Sequence, residues 1–316
     1  NLIMLNNQGS MNEFVIQTDG LTKRYKNVVA VDDLSLEIRR GRVYGLLGPN
    51  GSGKTTTMGL LLGLLTPTSG TFRLFGSTHG HEDSLRRVGA IIESPSFYPY
   101  LSGFQNLRYF QMISGGRSEE ELEILIGRVG LTGRGDDLFR TYSSGMKQRL
   151  GIAYALLGDP DIVFLDEPTN GLDPEGMIEV RELIKSLGDG NRTVLLSSHL
   201  LHEVEQVCDS VTIISKGRLI VQGEVSQLVA TVGSEQVRTK TTDNSKARQI
   251  LSALDWVEDV ATHEDSLLVT APIERSSELT AALAHSEVYV TEMMPVRRSL
   301  EEYFLEVTGH GKEISQ

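Results

Sequence analysis

Gly48-Pro49-Asn50-Gly51-Ser52-Gly53-Lys54-Thr55 decides how the rest of this 316-residue chain is read. The stretch fits the spacing G-x-x-x-x-G-K-[ST], and its flanks are the ones that spacing requires. Before it runs Val43-Tyr44-Gly45-Leu46-Leu47, short and continuously apolar, which reads as a strand buried on both faces. After it the pattern predicts a helix starting near Lys54. Glycines here let consecutive backbone N–H groups curl around a phosphate without side-chain clash. The helix would turn its positive dipole end towards the anion. Lys54 supplies a mobile cation for terminal phosphates, and the Thr55 hydroxyl can ligate Mg²⁺. The bland alternative is a glycine-rich turn beside a surface lysine, and it leaves the flanking strand and helix unexplained.

A second anchor is Ile162-Val163-Phe164-Leu165-Asp166-Glu167, four apolar residues running into two adjacent carboxylates. Neighbours on a strand point to opposite faces, but at its end both can reach a phosphate site. Asp166 is expected in the Mg²⁺ shell, and Glu167 as the general base that polarises an attacking water. Further strand-like runs lie at 193–197 and 211–214, with helical stretches at 119–129, 145–157 and 175–187. That order predicts an α/β core with a mostly parallel sheet and helices on its faces. Phe14-Val15-Ile16 and Leu34-Ser35-Leu36-Glu37-Ile38 alternate instead, as strands of an antiparallel edge sheet do. The apolar run at 58–65 falls far short of the roughly 20 residues that cross a bilayer, and reads as a buried helix.

Around residue 231 the character changes, with Thr231-Val232-Gly233-Ser234 as linker. Beyond it we read a strand (236–241), a helix (245–254), a strand or hairpin (257–270), a helix (276–285), a strand (288–292) and a last helix (298–307). This is a small split α+β domain. The expected division is a leader over 1–12, a nucleotide-binding domain over 13–230 and an accessory domain over 231–312. No internal repeat is present, so each chain holds one nucleotide-binding unit.

Composition narrows the function. Thirty Lys and Arg against 42 Asp and Glu give a net charge of −12, which argues against a free-standing nucleic-acid binder. Charged residues at 23% and hydrophobic ones at 39% are the mix of a folded chain, not a disordered one. A single cysteine, Cys208, excludes an intramolecular disulfide and fits a reducing compartment. Residues 1–10 lack the basic start of a signal peptide, and Met11 reads as the natural first residue.

Many enzymes share the phosphate loop, and the rest of the chain discriminates among them. Tyr142-Ser143-Ser144-Gly145-Met146-Lys147-Gln148-Arg149 precedes the Asp166-Glu167 pair. Asp173 follows in Gly171-Leu172-Asp173-Pro174, and His199 in Leu196-Ser197-Ser198-His199. This ordered set, over residues 14 to 230, resembles the ATP-binding cassette (ABC) ATPases. The resemblance implies a P-loop NTPase core with an antiparallel edge sheet and a helical subdomain, ATP and Mg²⁺ as cofactors, and ATP hydrolysis. It extends the phosphate-binding set from Gly48 to Thr56. It assigns Tyr25 to stacking on adenine, where an aromatic is worth about 1–3 kcal/mol. Ser143, Ser144 and Gly145 match the segment that faces the nucleotide of the other subunit, with Tyr142, Ser144 and Met146 departing from the usual Leu-Ser-Gly-Gly-Gln. Asp173 would link the two active sites, and His199 would contact the γ-phosphate.

Glu93, in Val88-Gly89-Ala90-Ile91-Ile92-Glu93, stands where the family usually has a glutamine that touches Mg²⁺ or its water. That form is similar to bacitracin-resistance and lantibiotic-immunity transporters. The aromatic-rich stretch 97–107 also looks like theirs. It either offers a docking surface to a membrane subunit or packs the helical subdomain's own core. The tail Leu300-Glu301-Glu302-Tyr303-Phe304-Leu305 resembles the end of a small domain on drug, antibiotic and sodium export ATPases, with Leu300, Phe304 and Leu305 on one helical face. The resemblance implies these partners: a second copy of the chain or a homologous ATPase, and an integral membrane permease at the cytoplasmic face of the membrane, with no nucleic acid. The alternative is a soluble relative without a membrane partner, or an exporter of another substrate such as sodium or lipid.

Overall fold

The computed structural model describes residues 13–78, 82–93, 96–114, 118–188, 192–231 and 236–296. The expected leader, the helix at 298–307 and its Leu300, Phe304 and Leu305 stripe lie outside these residues. The chain divides into two compact units between Val225 and Ser226.

The first unit is built on a six-stranded sheet. Its order is Arg218–Glu224, Ser210–Ser215, Val43–Leu47, Thr193–Ser198, Ile162–Leu165, Val88–Ile91. All neighbours are parallel except the Arg218–Glu224 edge. The central strands Val43–Leu47, Ile162–Leu165 and Thr193–Ser198 are buried along their whole length, as continuous apolar runs in a sheet covered on both faces should be. One face meets an antiparallel sheet and the helix Lys54–Leu61, sharing a core of Ile16, Leu34, Phe72, Met58, Phe164 and Leu195 among others. The other face carries the helices Pro174–Gly188 and Leu201–Val207. Gly45 lets the latter come close, since a Cβ there would lie 2.6 Å from Val204 Cγ1. Cys208 is buried at the same contact, and burial pushes its thiol up, away from the reactive thiolate.

Two expectations need correcting. The run 34–38 is not one strand: Val28–Leu34 ends, Ser35 and Leu36 interrupt the pairing, and Glu37–Arg39 takes it up again in a second ladder further along the same edge of Phe14–Tyr25, opposite Ser69–Leu74. Thr18 occupies the step, donating to Leu34 O and accepting from the Leu36 N–H, each at 2.8 Å. The helix after the glycine loop stops at Leu61, because Gly63 adopts a left-handed φ of 71° that closes it. Leu64 is therefore 68% exposed, not buried.

The helical segment between the Val88–Ile91 and Ile162–Leu165 strands holds Gly103–Ser114, Glu119–Arg128 and Ser144–Ala155. Ser118 and Glu121 close a reciprocal capping box at the start of the second of these. Of the two alternatives for the stretch 97–107, packing of the helical segment's own core is observed at Phe97, and exposure is observed at Tyr100. Phe97 packs edge-on against Phe110, Phe139 and Tyr154, while Tyr100 is 67% exposed.

The second unit has the order strand, helix, strand, strand, helix, strand: Gln236–Thr241, Asn244–Ser252, Asp259–His263, Ser266–Thr270, Ser276–His285, Val290–Val296. Its four strands form an antiparallel sheet with the first strand between the third and fourth, and both helices share one core with it. Among the described residues no helix is long and apolar enough to cross a membrane.

Candidate active site

The glycine loop follows the Val43–Leu47 strand and enters the helix that opens at Lys54, as its spacing requires. Its glycines are forced by close approach. A Cβ on Gly48 would stand 2.3 Å from Ile214 O, and one on Gly53 2.3 Å from Ala30 O. Gly51 and Gly53 also take φ of 78° and 105°, which side chains resist. Ser52 Oγ is buried with no hydrogen-bond partner, and a buried hydroxyl of that kind fits a loop shaped around an anion. Lys54 is only 6% exposed. Its Nζ donates to Gly48 O at 2.8 Å and lies 3.2 Å from Glu167 Oε1.

Parallel register brings the second half of the site alongside. Leu165 pairs with Leu196, so Asp166 and Ser197 leave neighbouring strand ends together. Thr55 Oγ1 donates to Asp166 Oδ2 at 2.9 Å, and Ser197 Oγ donates to the other oxygen, Oδ1. The same Ser197 hydroxyl accepts from the Glu167 N–H at 2.9 Å. Glu167 needs that hold: its φ is 48°, a left-handed conformation that costs a non-glycine residue about 1–2 kcal/mol. The turn swings its carboxylate towards the loop, with His199 Nδ1 2.6 Å from Oε2. The hydroxyl of Thr55 and carboxylate of Asp166 are hard oxygen donors, the kind Mg²⁺ takes.

These groups converge on a cleft of about 610 Å³ lined by Lys54, Thr55, Thr56, Glu167 and His199, with Asn50, Gly51 and Gly53 of the loop and Tyr25 at its lip. Tyr25 is 43% exposed, its ring open to a base. Asn170 also lines the cleft, and sequence reasoning missed it, as it missed Ser197. The signal for Ser197 was present in the strand end Thr193-Val194-Leu195-Leu196-Ser197, but only the register shows which carboxylate it meets.

Ser143, Ser144, Gly145, Asp173 and Glu93 are not among the residues lining this cleft. Ser143 caps the helix Ser144–Ala155, accepting from the Met146 N–H at 3.2 Å. Asp173 precedes the helix Pro174–Gly188, its carbonyl accepting from the Met177 N–H at 2.9 Å. Those two helix starts touch: a Cβ on Gly145 would be 3.3 Å from Gly176 Cα. Glu93 is exposed, with a left-handed φ of 65°.

Comparison with known proteins agrees with this geometry. Residues 31–170 match the family model described as ABC transporter. An uncharacterized ABC transporter ATP-binding protein of Bacillus subtilis, YdbJ, is 38% identical over 96% of this chain and 98% of its own length. The bacitracin transport ATP-binding protein BcrA of Enterococcus faecalis is 35% identical over 95% and 98%. A solved structure of the ATP binding subunit of an ABC transporter superposes with a TM-score of 0.61 at 29% identity, covering 69% of this chain and 92% of that one. With the loop, the carboxylate pair and the histidine gathered at one cleft, and relatives of this identity along nearly the whole length, the chain belongs to the ATP-binding, ATP-hydrolysing subunits of ABC transporters.

Proposed function

We propose that the chain is the energy-coupling subunit of an exporter, working as a head-to-tail pair. Two ATP would lie between the Gly48–Thr56 loop of one copy and Ser143, Ser144 and Gly145 of the other, which is a second copy of this chain or a homologous ATPase. The observation carrying this reading is a half-built site. The cleft gathers Lys54, Thr55, Glu167 and His199, while the phosphate-facing segment and Asp173 sit outside its lining on adjacent helix starts.

In that arrangement Tyr25 stacks on the base, and the loop N–H groups with Lys54 hold the phosphates. Glu167 takes the proton of the attacking water as its oxygen bonds to the γ-phosphorus, and the bond from that phosphorus to the β,γ-bridging oxygen breaks, releasing ADP. His199, already paired with Glu167, orients that carboxylate and contacts the γ-phosphate. Thr55 and Asp166, with Glu93 as a further oxygen donor, would hold Mg²⁺, which when bound offsets charge on the phosphates. Closure of the pair would push on a separate membrane permease at the cytoplasmic face. An apolar pocket of about 240 Å³ lined by Ile91, Ile92, Phe97, Phe110 and Tyr154 suits such a contact. Likeness to a bacitracin transport protein points to an antimicrobial peptide or drug as cargo.

The test is Glu167→Gln, expected to bind ATP while hydrolysing it at least about a hundredfold more slowly. Normal turnover by that variant removes Glu167 as base. Lys54→Ala is expected to lose tight ATP binding, and unchanged affinity defeats the loop assignment. Co-purification should bring down a polytopic membrane protein; ribosomes or DNA in its place would overturn the transport reading.

A further inference from the structure

Glu203 is a carboxylate with no part in the site described so far, yet it is only 5% exposed. It stands in the first turn of Leu201–Val207, the helix that follows His199. Burying a charge without good partners is unfavourable, so a buried carboxylate calls for a reason. One oxygen has a short bond: Thr169 Oγ1 donates to Glu203 Oε2 at 2.6 Å. The other, Oε1, has no hydrogen-bond partner. A carboxylate placed for fold stability alone would have both oxygens satisfied. This one is committed to a single contact across 34 residues of sequence.

Thr169 is the residue that makes the contact informative. It lies two positions after Glu167, in the loop that goes on through Asn170 to Asp173. Glu167 begins that loop in a left-handed turn, held from one side by Ser197 Oγ. The loop closes on itself through the Asn170 N–H to Glu167 O at 3.1 Å and the Leu172 N–H to Thr169 O at 3.3 Å. The Thr169–Glu203 bond is the hold from the other side. It ties the arm carrying Glu167 to the helix following His199, the two side chains that meet 2.6 Å apart in the cleft. A loop free to relax from its turn would carry the Glu167 carboxylate away from the water it must orient, at little cost to nucleotide binding.

We infer that Glu203 is a positioning residue for hydrolysis, acting through Thr169 to hold the Glu167–Asp173 loop in register with His199. This rests on the reading of Glu167 as general base. The experiment uses the full chain and three readouts: ATPase rate, affinity for a fluorescent ATP analogue with Mg²⁺, and thermal unfolding. Thr169→Val removes only the hydroxyl and is expected to lower kcat at least about tenfold, with nucleotide affinity within about twofold of the parent. Thr169→Ser restores the donor and should restore the rate. Glu203→Gln keeps an acceptor and should stay within about threefold of the parent, whereas Glu203→Ala should match Thr169→Val. Combining Thr169→Val with Glu203→Ala should be no worse than the poorer single change, because both remove one interaction. A Thr169→Val protein that unfolds at the parental temperature and keeps its kcat overturns the inference. So does a rate loss matched by lost affinity or lost thermal stability, and so do losses that add in the double variant. If Glu167→Gln itself leaves hydrolysis unchanged, the reading of the base fails. If Glu167→Gln is slow and Thr169→Val is not, only the positioning role fails.

Discussion

Tyr142 shows how one departure from a family pattern is accommodated. It replaces the leucine of the usual Leu-Ser-Gly-Gly-Gln pattern, and it is buried as a leucine would be, at 4% exposure. The phenol cannot be left unpaired there, and its OH donates to Arg134 O at 2.6 Å. Gly103 makes the room: a Cβ at that position would lie 2.2 Å from the Tyr142 oxygen. Burial, helped by Asp137 and Asp136, pushes the phenol pKa up to about 12 from 10.0. The folded state therefore keeps a proton that the unfolded chain gives up from about pH 10 upward. Stability from this group is complete below pH 10 and is lost as pH rises towards 12. Tyr142→Phe should cost about 1 kcal/mol at neutral pH, by leaving the Arg134 carbonyl without its donor. The same variant should lose stability less steeply than the parent between pH 10 and 12. Denaturant titrations at both ends of that window measure the difference, and parallel losses would contradict the assignment.

At the scale of elements, legibility followed whether the deciding interaction was local. The glycine loop was readable because left-handed φ at Gly51 and Gly53, and the close approaches at Gly48 and Gly53, restrict those positions by themselves. The buried strands were readable as unbroken apolar runs. The break between Leu34 and Glu37 was not, since alternation continues across it and only Thr18, on another strand, shows where the ladder changes. Ser197 and Glu203 were hidden for the same reason: their roles come from contacts about 30 residues away in sequence. The paired helix starts are a second nonlocal feature. Gly145 and Gly176 let Ser144–Ala155 and Pro174–Gly188 touch, and Arg149 NH2 reaches Glu179 Oε2 at 3.2 Å one turn further on. A side chain at 176 would meet Asp173 Oδ1 at 2.9 Å. Gly176→Val should therefore cost about 1–3 kcal/mol through overpacking. It should also depress ATP turnover much more than ATP binding, because neither helix start lines the cleft. Retained kcat in a variant of reduced stability would mean that the spacing of these helices serves the fold alone.

For the molecule as a whole, the decisive quantity is how many chains a reaction needs. One chain of 34.8 kDa gathers the loop, the base and the histidine but leaves Ser143 and Asp173 off its own cleft. On the proposed pairing, a solitary chain can bind nucleotide at Lys54 and Tyr25 yet lacks the donors that complete the site. Specific activity should then rise with protein concentration and level off once pairs predominate, instead of staying constant as it would for an independent enzyme. Glu167→Gln, which is expected to bind ATP and stall, should be recovered with Mg²⁺ and ATP at about twice the mass of one chain by light scattering, and at the mass of one chain with ADP. A complementation experiment locates the missing half. Lys54→Ala disables the loop and leaves the Ser143 segment intact, and Ser143→Arg does the reverse. Each should be inactive alone. Mixed chains would contain one composite site with both halves sound, so activity should reappear on mixing. Silence on mixing, together with full activity at high dilution of the parent, would place the whole reaction within a single chain.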